Sequence, residues 1–278
     1  MINVAQLQLG TWRFSGSHFG KDLPKQYQQI IQLALSDGIT TFDTAQFYGN
    51  GIAENRLYQA LKKVNRDCYY LSSKAGIHWQ KNKVIHQADF KTLKSTLLKT
   101  LKSFDTHYID IFYLHWKDPQ ICITQSLHDL QLLQKEGLCK HIGLCHLNET
   151  QLQEALKTGI SFYHQCVYNP IQNQNNELYQ KIDQLDQIQN VIVSPFMQGL
   201  LLSSGQKIYG KKDWRRRHEY FNHEKLIAYQ KNLNQTYKTN AEKIKNLLTN
   251  LFEHFPNSKC CLGVSNIKQY QDLQQALL

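Results

Sequence analysis

The 278-residue chain lacks several features that would assign it to a protein class at once. No apolar run approaches the roughly 18 residues that a membrane-spanning helix requires, so we expect no membrane partner. The first residues, Met1 to Gln6, contain no basic stretch followed by an apolar one, and we therefore expect no signal peptide. The seven cysteines are odd in number and scattered, which predicts reduced, mostly buried thiols in a cytoplasmic protein.

Signatures of metal and nucleic-acid binding are also missing. No zinc-finger spacing or aromatic ribonucleoprotein motif accompanies the net charge of +10. Residues 207–217 form the densest basic segment, which we interpret as a solvated loop and helix face, with anion binding as the alternative. Cys139 and Cys145 lie near two histidines, but strand rise would separate these cysteines by roughly 20 Å. Because a zinc ion needs both sulfurs at about 2.3 Å, we expect no metal there, and we expect no nucleic-acid partner.

What the chain does contain is an eightfold alternation of strand-like and helix-like segments. The strand-like segments are residues 4–9, 40–43, 69–74, 108–115, 140–145, 162–168, 191–194 and 260–263. The helix-like segments are residues 24–35, 52–64, 88–102, 124–135, 149–157, 176–185, 223–235, 240–254 and 267–277. This alternation predicts an α/β fold, a (β/α)₈ TIM barrel forming a single domain over residues 1–278. An open doubly wound sheet is the alternative, but the turn Leu9–Trp12 does not match its Gly-rich fingerprint.

Four polar residues mark the ends of three neighbouring predicted strands. Asp43, Lys74 and His115 end the second, third and fourth strands, and Tyr48 follows the second. Because active sites of such barrels lie at the carboxyl ends of the strands, these side chains are predicted to meet at one mouth. A lysine beside a phenol stabilises phenolate, a carboxylate fixes that lysine, and an imidazole orients a carbonyl. Taken singly, each residue is more often an ordinary ion pair, loop aromatic or rim histidine.

Several segments resemble the aldo-keto reductase family over nearly the whole chain. They are Leu9–Trp12, Gly38–Ala45, Tyr48-Gly49, Ser73-Lys74, Ile109–Trp116, Gly137–Gly143, Tyr168–Pro170 and Ser194-Pro195. The segment Gly263–Gln269 is most similar to the branch shared with potassium-channel beta subunits. The resemblance implies NADPH-dependent reduction of an aldehyde or ketone, or the reverse oxidation, with a hydride from nicotinamide.

The resemblance also assigns residue roles. Tyr48 is implied to be the general acid, Lys74 to lower its pKa, Asp43 to hold Lys74, and His115 to orient the carbonyl. The implied NADP(H)-binding positions are Gly10, Thr11, Trp12, Asp43, Cys145, His146, Gln165, Ser194, Phe196, Gly199, Leu200, Gly263, Ser265, Gln269 and Asp272. The implied substrate-pocket residues are Trp12, Tyr48, Trp79, His115 and Trp116, with ordinary packing as the alternative for Trp79.

The adenosine end has its own implied contacts. Ser265 is implied to contact the 2′-phosphate, and Gln269 and Asp272 the adenine side. A helix starting near Ile267 is expected to offer free backbone amides to that phosphate, with the charge of Lys268 nearby. No acidic residue lies within 265–268, which favours NADP over NAD.

Three positions depart from the family pattern at the nicotinamide end. Cys145-His146 replaces a Ser-Asn pair that contacts the carboxamide, and Val193 replaces an aromatic residue that stacks on the ring. These departures keep a second hypothesis open, a nucleotide-binding regulatory module with little or no turnover. The substrate, the physiological direction and the oligomeric state are not readable from this sequence.

Overall fold

The computed structural model describes residues 2–16, 22–81, 83–203 and 224–278. Its strands are β1 Leu7–Gly10, β2 Thr41–Asp43, β3 Tyr70–Ala75, β4 Ile77–Gln80, β5 Lys83–His86, β6 Ile109–Leu114, β7 Cys139–Cys145, β8 Phe162–Val167, β9 Ile188–Val193 and β10 Lys259–Gly263. Its α-helices are α1 Pro24–Ser36, α2 Ile52–Leu61, α3 Phe90–Ser103, α4 Ile123–Lys135, α5 Glu149–Leu156, α6 Asn176–Ile182, α7 Glu224–Thr236, α8 Asn240–His254 and α9 Ile267–Leu277. The basic segment 207–217 lies outside the described residues.

Eight parallel strands close into a barrel in the order β1-β10-β9-β8-β7-β6-β3-β2. Closure occurs at β1, where Gly10 pairs with Gly263 of β10 on one side and with Asp43 of β2 on the other. The predicted (β/α)₈ fold is confirmed, and the open doubly wound alternative is excluded. The carboxyl ends of β2, β3 and β6 are adjacent in this order, so the predicted site residues meet at one mouth.

Local capping signals in the sequence fix several helix ends. Pro24 occupies the first turn of α1, where its missing N–H costs no hydrogen bond. Gly137 and Gly159 follow α4 and α5 with φ values of +77° and +70°, a left-handed conformation that favours glycine. Asn148 and Gln151 form a reciprocal capping box at the start of α5.

Two features of the chain differ from the prediction. Residues 4–6, predicted as strand, form a 3₁₀ turn because the Asn3 side chain accepts a hydrogen bond from the Ala5 amide, and β1 begins at Leu7. The antiparallel hairpin β4–β5 was not predicted; it stands apart from the barrel as a two-stranded sheet. It lies between β3 and α3, so Trp79 belongs to a strand of this hairpin.

The barrel interior is packed with side chains. Tyr113 of β6 is fully buried and lies against Gly143 of β7, where a Cβ atom would overlap the Tyr113 ring. A second, larger apolar layer lies between the barrel and the helices, with Phe42, Leu71 and Phe112 fully buried in it. Such a filled interior leaves no open pore, which is usual for an eight-stranded barrel.

The opposite mouth of the barrel holds its own charged group. Asp110, at the start of β6, pairs with Arg66 at 2.5 Å and Lys140 at 3.2 Å, and accepts a hydrogen bond from the Leu71 amide at 2.9 Å. Asp110 is 1% exposed. This buried carboxylate lies far from the carboxyl ends of the strands and serves stability.

Five of the seven cysteines are buried, and none forms a disulfide. Within the described ranges no helix is long and apolar enough to cross a membrane. The same residues contain no cluster of three or more His, Cys, Asp or Glu side chains arranged to hold a metal ion.

Candidate active site

A buried ion pair forms the base of the site. Asp43 pairs with Ser72 in the β2–β3 register, and Lys74 follows two residues later on the same strand face. The Lys74 ammonium lies 2.5 Å from Asp43 Oδ2, and both side chains are at most 5% exposed. Asp43 Oδ1 accepts hydrogen bonds from Ser72 Oγ and Gln165 Nε2, each at 2.8 Å. Both carboxylate oxygens are therefore engaged, which fixes the position of the lysine.

Tyr48 is held over this pair by the turn that follows β2. Its hydroxyl lies 3.3 Å from Lys74 Nζ, and the same ammonium donates to the Thr44 carbonyl oxygen at 2.9 Å. Gly49 is required next to Tyr48 because its φ is +66° and a Cβ atom there would lie 2.6 Å from the Ser15 carbonyl oxygen. The backbone thus forces the phenol into contact with the lysine.

The charges of this trio follow from burial and neighbours. Burial raises the pKa of Tyr48 above its ordinary value, while the Lys74 ammonium acts in the lowering direction. Burial alone would lower the pKa of Lys74, but Asp43, Tyr48 and Cys145 together outweigh burial and raise the lysine pKa, so the ammonium persists. The lowering effect of Lys74 on the Tyr48 pKa is smaller than the raising effect of burial. The phenol therefore carries its proton beside a cation that stabilises the phenolate.

His115 completes the group from the other side. Its backbone amide donates to the Ala75 carbonyl oxygen at 2.7 Å, just beyond the end of β6. Burial, together with Lys74 and His146, holds the pKa of His115 well below its ordinary value, so the imidazole is neutral. Its ring meets the Tyr48 ring edge to face at 5.7 Å, and its buried Nδ1 has no hydrogen-bond partner among the described residues. A neutral imidazole here has an N–H to offer a carbonyl oxygen.

The predicted nicotinamide end carries unusual contacts. The Gln165 carboxamide donates to Asp43, and its Oε1 lies 3.7 Å from the Cys145 thiol, the donor of that contact. His146 stands just beyond β7 with a left-handed φ of +56°, and its ring stacks on Trp116 at 4.5 Å. Burial lowers the pKa of His146 to about 4, helped by His164 and Lys74. The amide of Gln165 is therefore already part of the catalytic network.

A cavity of about 550 Å³ joins these groups to the end of β10 and the start of α9. Fifteen of the predicted site residues line it: Gly10, Trp12, Asp43, Tyr48, His115, Trp116, His146, Gln165, Ser194, Phe196, Gly199, Gly263, Ser265, Gln269 and Asp272. Its volume falls within the range usual for small-molecule and cofactor sites. The structure thus brings together most of the predicted site.

Five predicted residues stay outside the cavity wall for identifiable reasons. Thr11 is buried and its hydroxyl donates to the Asp43 carbonyl oxygen at 3.0 Å. Lys74 lies behind Tyr48, and Cys145 and Leu200 are buried at 2% and 3% exposure. Trp79 is separated from the cavity by Phe47, on which it stacks at 5.1 Å.

Sequence reasoning missed several residues that line the cavity. Arg13 directly follows the predicted Trp12, and Phe47 directly precedes the predicted Tyr48. This adjacency was the sequence signal that could have identified them. Phe47 presents its ring edge to His115 at 6.0 Å. Arg13 is the one arginine or lysine among the described residues lining the cavity, which suits an anionic ligand.

The adenosine end differs in detail from expectation. The Ile267 amide donates to Gln26 Oε1 at 3.1 Å, and the Gln269 amide donates to the Asn266 side chain at 3.0 Å. The Ser265 amide donates to Gln269 Oε1 at 2.8 Å. The expectation of free amides at the start of α9 is therefore wrong for Ile267 and Gln269, because neighbouring side chains already accept from these two amides.

The charges at this end form one pair. Lys268 Nζ lies 2.9 Å from Asp272 Oδ1, with the lysine side chain 74% exposed and the aspartate 9%. Asp272 lines the cavity, whereas Lys268 does not.

The residues present fit a nicotinamide dinucleotide. Gly263 lies in the cavity wall, and a Cβ atom there would meet nothing within 4 Å, so the backbone is open to close approach by a ligand. Arg13 supplies a cation for a pyrophosphate, and Gln165 an amide near the catalytic group. The cavity runs without interruption from Tyr48 to Asp272. Fold and site together define a (β/α)₈ barrel with a cavity that suits dinucleotide-dependent chemistry.

Comparison with known proteins is consistent with this class. The model of the Aldo/keto reductase family matches residues 6–278. The aldo-keto reductase YhdN of Bacillus subtilis (strain 168) is 27% identical over 201 residues, covering 72% of this chain and 61% of that protein. The NADH-specific methylglyoxal reductase of Escherichia coli (strain K12) is 28% identical over 242 residues, covering 81% and 74%. The chain belongs to the aldo-keto reductase family, whose members are oxidoreductases.

Solved structures agree on the fold. Glycerol dehydrogenase AKR11B4 from Gluconobacter oxydans superposes with a TM-score of 0.82 at 21% identity, covering 98% of this chain and 86% of that one. The chain spans 61%, 45% and 51% of the length of three curated relatives that it matches.

Proposed function

We propose that the chain reduces an aldehyde or ketone to an alcohol with a nicotinamide cofactor, or catalyses the reverse oxidation. One observation carries this proposal: the Tyr48 hydroxyl lies 3.3 Å from Lys74, which Asp43 fixes, and Tyr48 and the neutral His115 together line the same cavity. The arrangement supports acid catalysis at a carbonyl oxygen.

The roles of the side chains follow from their chemistry. The cofactor, when bound, supplies or accepts the hydride. Tyr48 donates its proton to the developing alkoxide, and Lys74 stabilises the phenolate that remains. Asp43 compensates the buried charge of Lys74. His115 donates a hydrogen bond to the carbonyl oxygen and orients it toward the phenol.

We propose NADP(H) as the preferred cofactor. Residues 265–268 contain no acidic side chain, and Lys268, whose side chain is 74% exposed, can exchange Asp272 for a phosphate. Asp272 acts against this preference through its carboxylate in the cavity wall. The balance between the charges of Lys268 and Asp272 sets the ratio of the affinities for NADPH and NADH. Calorimetric titration with NADPH and NADH tests it, and tighter binding of NADH would reverse the assignment.

Substrates are proposed by class. The family chemistry and the cavity suit small carbonyl compounds and the matching alcohols, and the names of two relatives mention methylglyoxal and glycerol. Methylglyoxal and glyceraldehyde are therefore the first compounds to test. We further propose that the barrel acts as one domain in the cytoplasm, since its seven cysteines are unpaired. Cell fractionation tests that location.

The decisive variant is Tyr48→Phe, with Tyr113→Phe as its matched control. Both tyrosines lie in the barrel, but the Tyr113 hydroxyl has no hydrogen-bond partner among the described residues. Tyr48→Phe is expected to lower kcat by about a hundred- to ten-thousandfold because the acid is lost. Tyr113→Phe is expected to keep kcat within about twofold, since it removes no bonded hydroxyl. Full reductase activity in Tyr48→Phe contradicts the proposal.

A second candidate is an NADP(H)-binding regulatory module with little or no turnover. It is favoured by the Gln165 amide, which is engaged by Asp43 and Cys145, and by the absence of an aromatic ring at Val193. Both features weaken nicotinamide placement. NADPH binding without oxidation across an aldehyde panel supports this candidate, and oxidation at enzyme-like rates excludes it.

A further inference from the structure

A second cavity of about 460 Å³ opens beyond Trp116 and His146, at the carboxyl ends of β7 and β8. Trp116, His146 and Val167 line both this cavity and the catalytic one. The two spaces are therefore neighbours that share one wall. Because Trp116 directly follows His115 in the chain, the second cavity lies beside the loop that carries this histidine.

The shared wall is a pair of stacked rings. The Trp116 and His146 rings lie 4.5 Å apart at 28°. Trp116 is 43% exposed, and the described residues give the His146 ring no hydrogen bond. The backbone of His146 is held in a left-handed conformation, with its amide bonded to the Gln165 carbonyl oxygen at 2.9 Å. Such a conformation in a non-glycine residue is typical of functional sites.

The far wall of the second cavity is rich in uncommitted amide groups. Gln174 makes no hydrogen bond within the described part of the chain and is exposed. Gln172 Oε1 accepts from Asn169 at 2.9 Å, which leaves the Gln172 amino group available. Asn175 donates to the Tyr179 hydroxyl at 3.3 Å, which leaves its carbonyl oxygen available. Donors and acceptors are thus both present.

The chemistry of this wall selects a class of ligand. None of the described residues that line the second cavity is a lysine, arginine, aspartate or glutamate, so it has no partner for an ionised group. Hydroxyl groups both donate and accept, and primary amides satisfy both functions at once. Neutral, hydroxyl-bearing chains match this wall, whereas alkyl chains leave its amides unpaired.

We propose that the second cavity is a substrate subsite that binds the hydroxylated tail of a polyhydroxy aldehyde or ketone. The proposal rests on the proposed carbonyl reductase function, because the carbonyl end must lie at Tyr48. The tail passes the Trp116–His146 pair and is held by the amides of Gln172, Gln174 and Asn175.

The test compares two adjacent amides, one inside the cavity and one outside it. Gln174→Leu removes an amide from the wall, and Asn173→Leu is the matched control, since Asn173 is exposed and does not line the cavity. The probes are erythrose and butanal, which have the same number of carbons. Gln174→Leu is expected to lower kcat/KM for erythrose by about three- to tenfold, the effect of one or two hydrogen bonds, while butanal changes by less than about twofold. Each comparison uses one substrate across variants, so the fraction of open-chain sugar cancels.

A turnover-free measurement separates this proposal from the proposed function. Saturation-transfer NMR with erythritol needs no reaction and reports contact with the protein directly. Transfer to wild type and to Asn173→Leu, with reduced transfer to Gln174→Leu, supports the subsite whether or not the protein reduces aldehydes. Equal transfer to all three proteins, or an equal kinetic loss for erythrose and butanal, overturns the subsite. Absence of butanal reduction by wild type contradicts the reductase function instead.

Discussion

The Asp43→Asn variant tests the central ion pair most directly. The carboxylate accepts from Lys74, Ser72 and Gln165, at 2.5, 2.8 and 2.8 Å, and is 4% exposed. Asparagine offers one carbonyl oxygen for three donors, and its own amino group then faces other donors. The buried ammonium loses its counter-charge, so Lys74 becomes the most destabilised group in the barrel.

The expected magnitude follows from this loss. Removing one partner of a buried ion pair costs about 3–5 kcal/mol of folding stability. The pKa of Lys74 falls once the raising effect of Asp43 is gone, because burial alone acts in the lowering direction. A neutral lysine no longer stabilises the Tyr48 phenolate, and we expect kcat to fall by about a hundred- to a thousandfold.

The assay measures both quantities on the same protein. Urea denaturation gives the free energy of unfolding, and cofactor oxidation with a saturating aldehyde gives kcat. Asp110→Asn is the matched control, since Asp110 is a buried, ion-paired carboxylate at the opposite mouth. Its loss is expected to cost about 1.5–3 kcal/mol while kcat stays within about twofold. Unchanged stability and kcat in Asp43→Asn refute the reasoning, and an equal kcat loss in Asp110→Asn shows that activity merely follows folding.

Three further perturbations have defined outcomes. Gly143→Ala places a Cβ atom into the fully buried Tyr113 ring and is expected to lower the free energy of unfolding, measured by urea denaturation, by about 1–3 kcal/mol or more. In a double-mutant cycle, Tyr113→Leu should recover part of this loss. Additive effects of the two substitutions argue against the clash. Burial raises the pKa of Glu54 above its ordinary 4.5, so the folded state binds the proton more tightly and stability declines as pH rises from about 4.5 through the raised pKa. Glu54→Gln is therefore expected to flatten the dependence of the unfolding free energy on pH above about 4.5, and an unchanged slope contradicts this. At the cofactor end, Asp272→Asn should raise and Lys268→Ala should lower the affinity ratio of 2′-phospho-ADP-ribose to ADP-ribose by about two- to fivefold in calorimetry, and equal ratios in both variants exclude this pair as the determinant.

The barrel was predictable because its signals are local and repeated. Pro24, Asn148 and the glycines after α4 and α5 mark helix ends by rules that need no tertiary information. Strand parity predicted that Asp43 and Lys74 point to the same side of the sheet, and in the structure the two side chains form an ion pair.

The hairpin β4–β5 was missed because its strands are only four residues each, and because Lys83–His86 does not alternate between apolar and polar residues, although Ile77–Gln80 does. Short excursions of this kind resemble loops in sequence.

Other parts of the site depend on contacts between distant residues. The Gln165 side-chain amide donates a hydrogen bond to Asp43, which lies 122 residues earlier in the chain, and neither local sequence predicts that contact. The net rise in the Tyr48 pKa depends on how completely the folded chain removes the phenol from water, a property of packing. Likewise, Gln26 of α1 satisfies the amide at the start of α9, which the sequence of α9 alone presents as free.

The hairpin β4–β5 supports the aromatic cavity wall from outside, and the barrel does not need this hairpin for closure. Its Trp79 supports Phe47, and Phe47 in turn meets His115. The ion pair of Asp43 and Lys74 therefore lies on barrel strands, whereas the aromatic support of Trp79 lies on the hairpin. For the proposed reductase, exchange of this hairpin is expected to alter which carbonyl compounds are accepted while Asp43 and Lys74 keep their geometry.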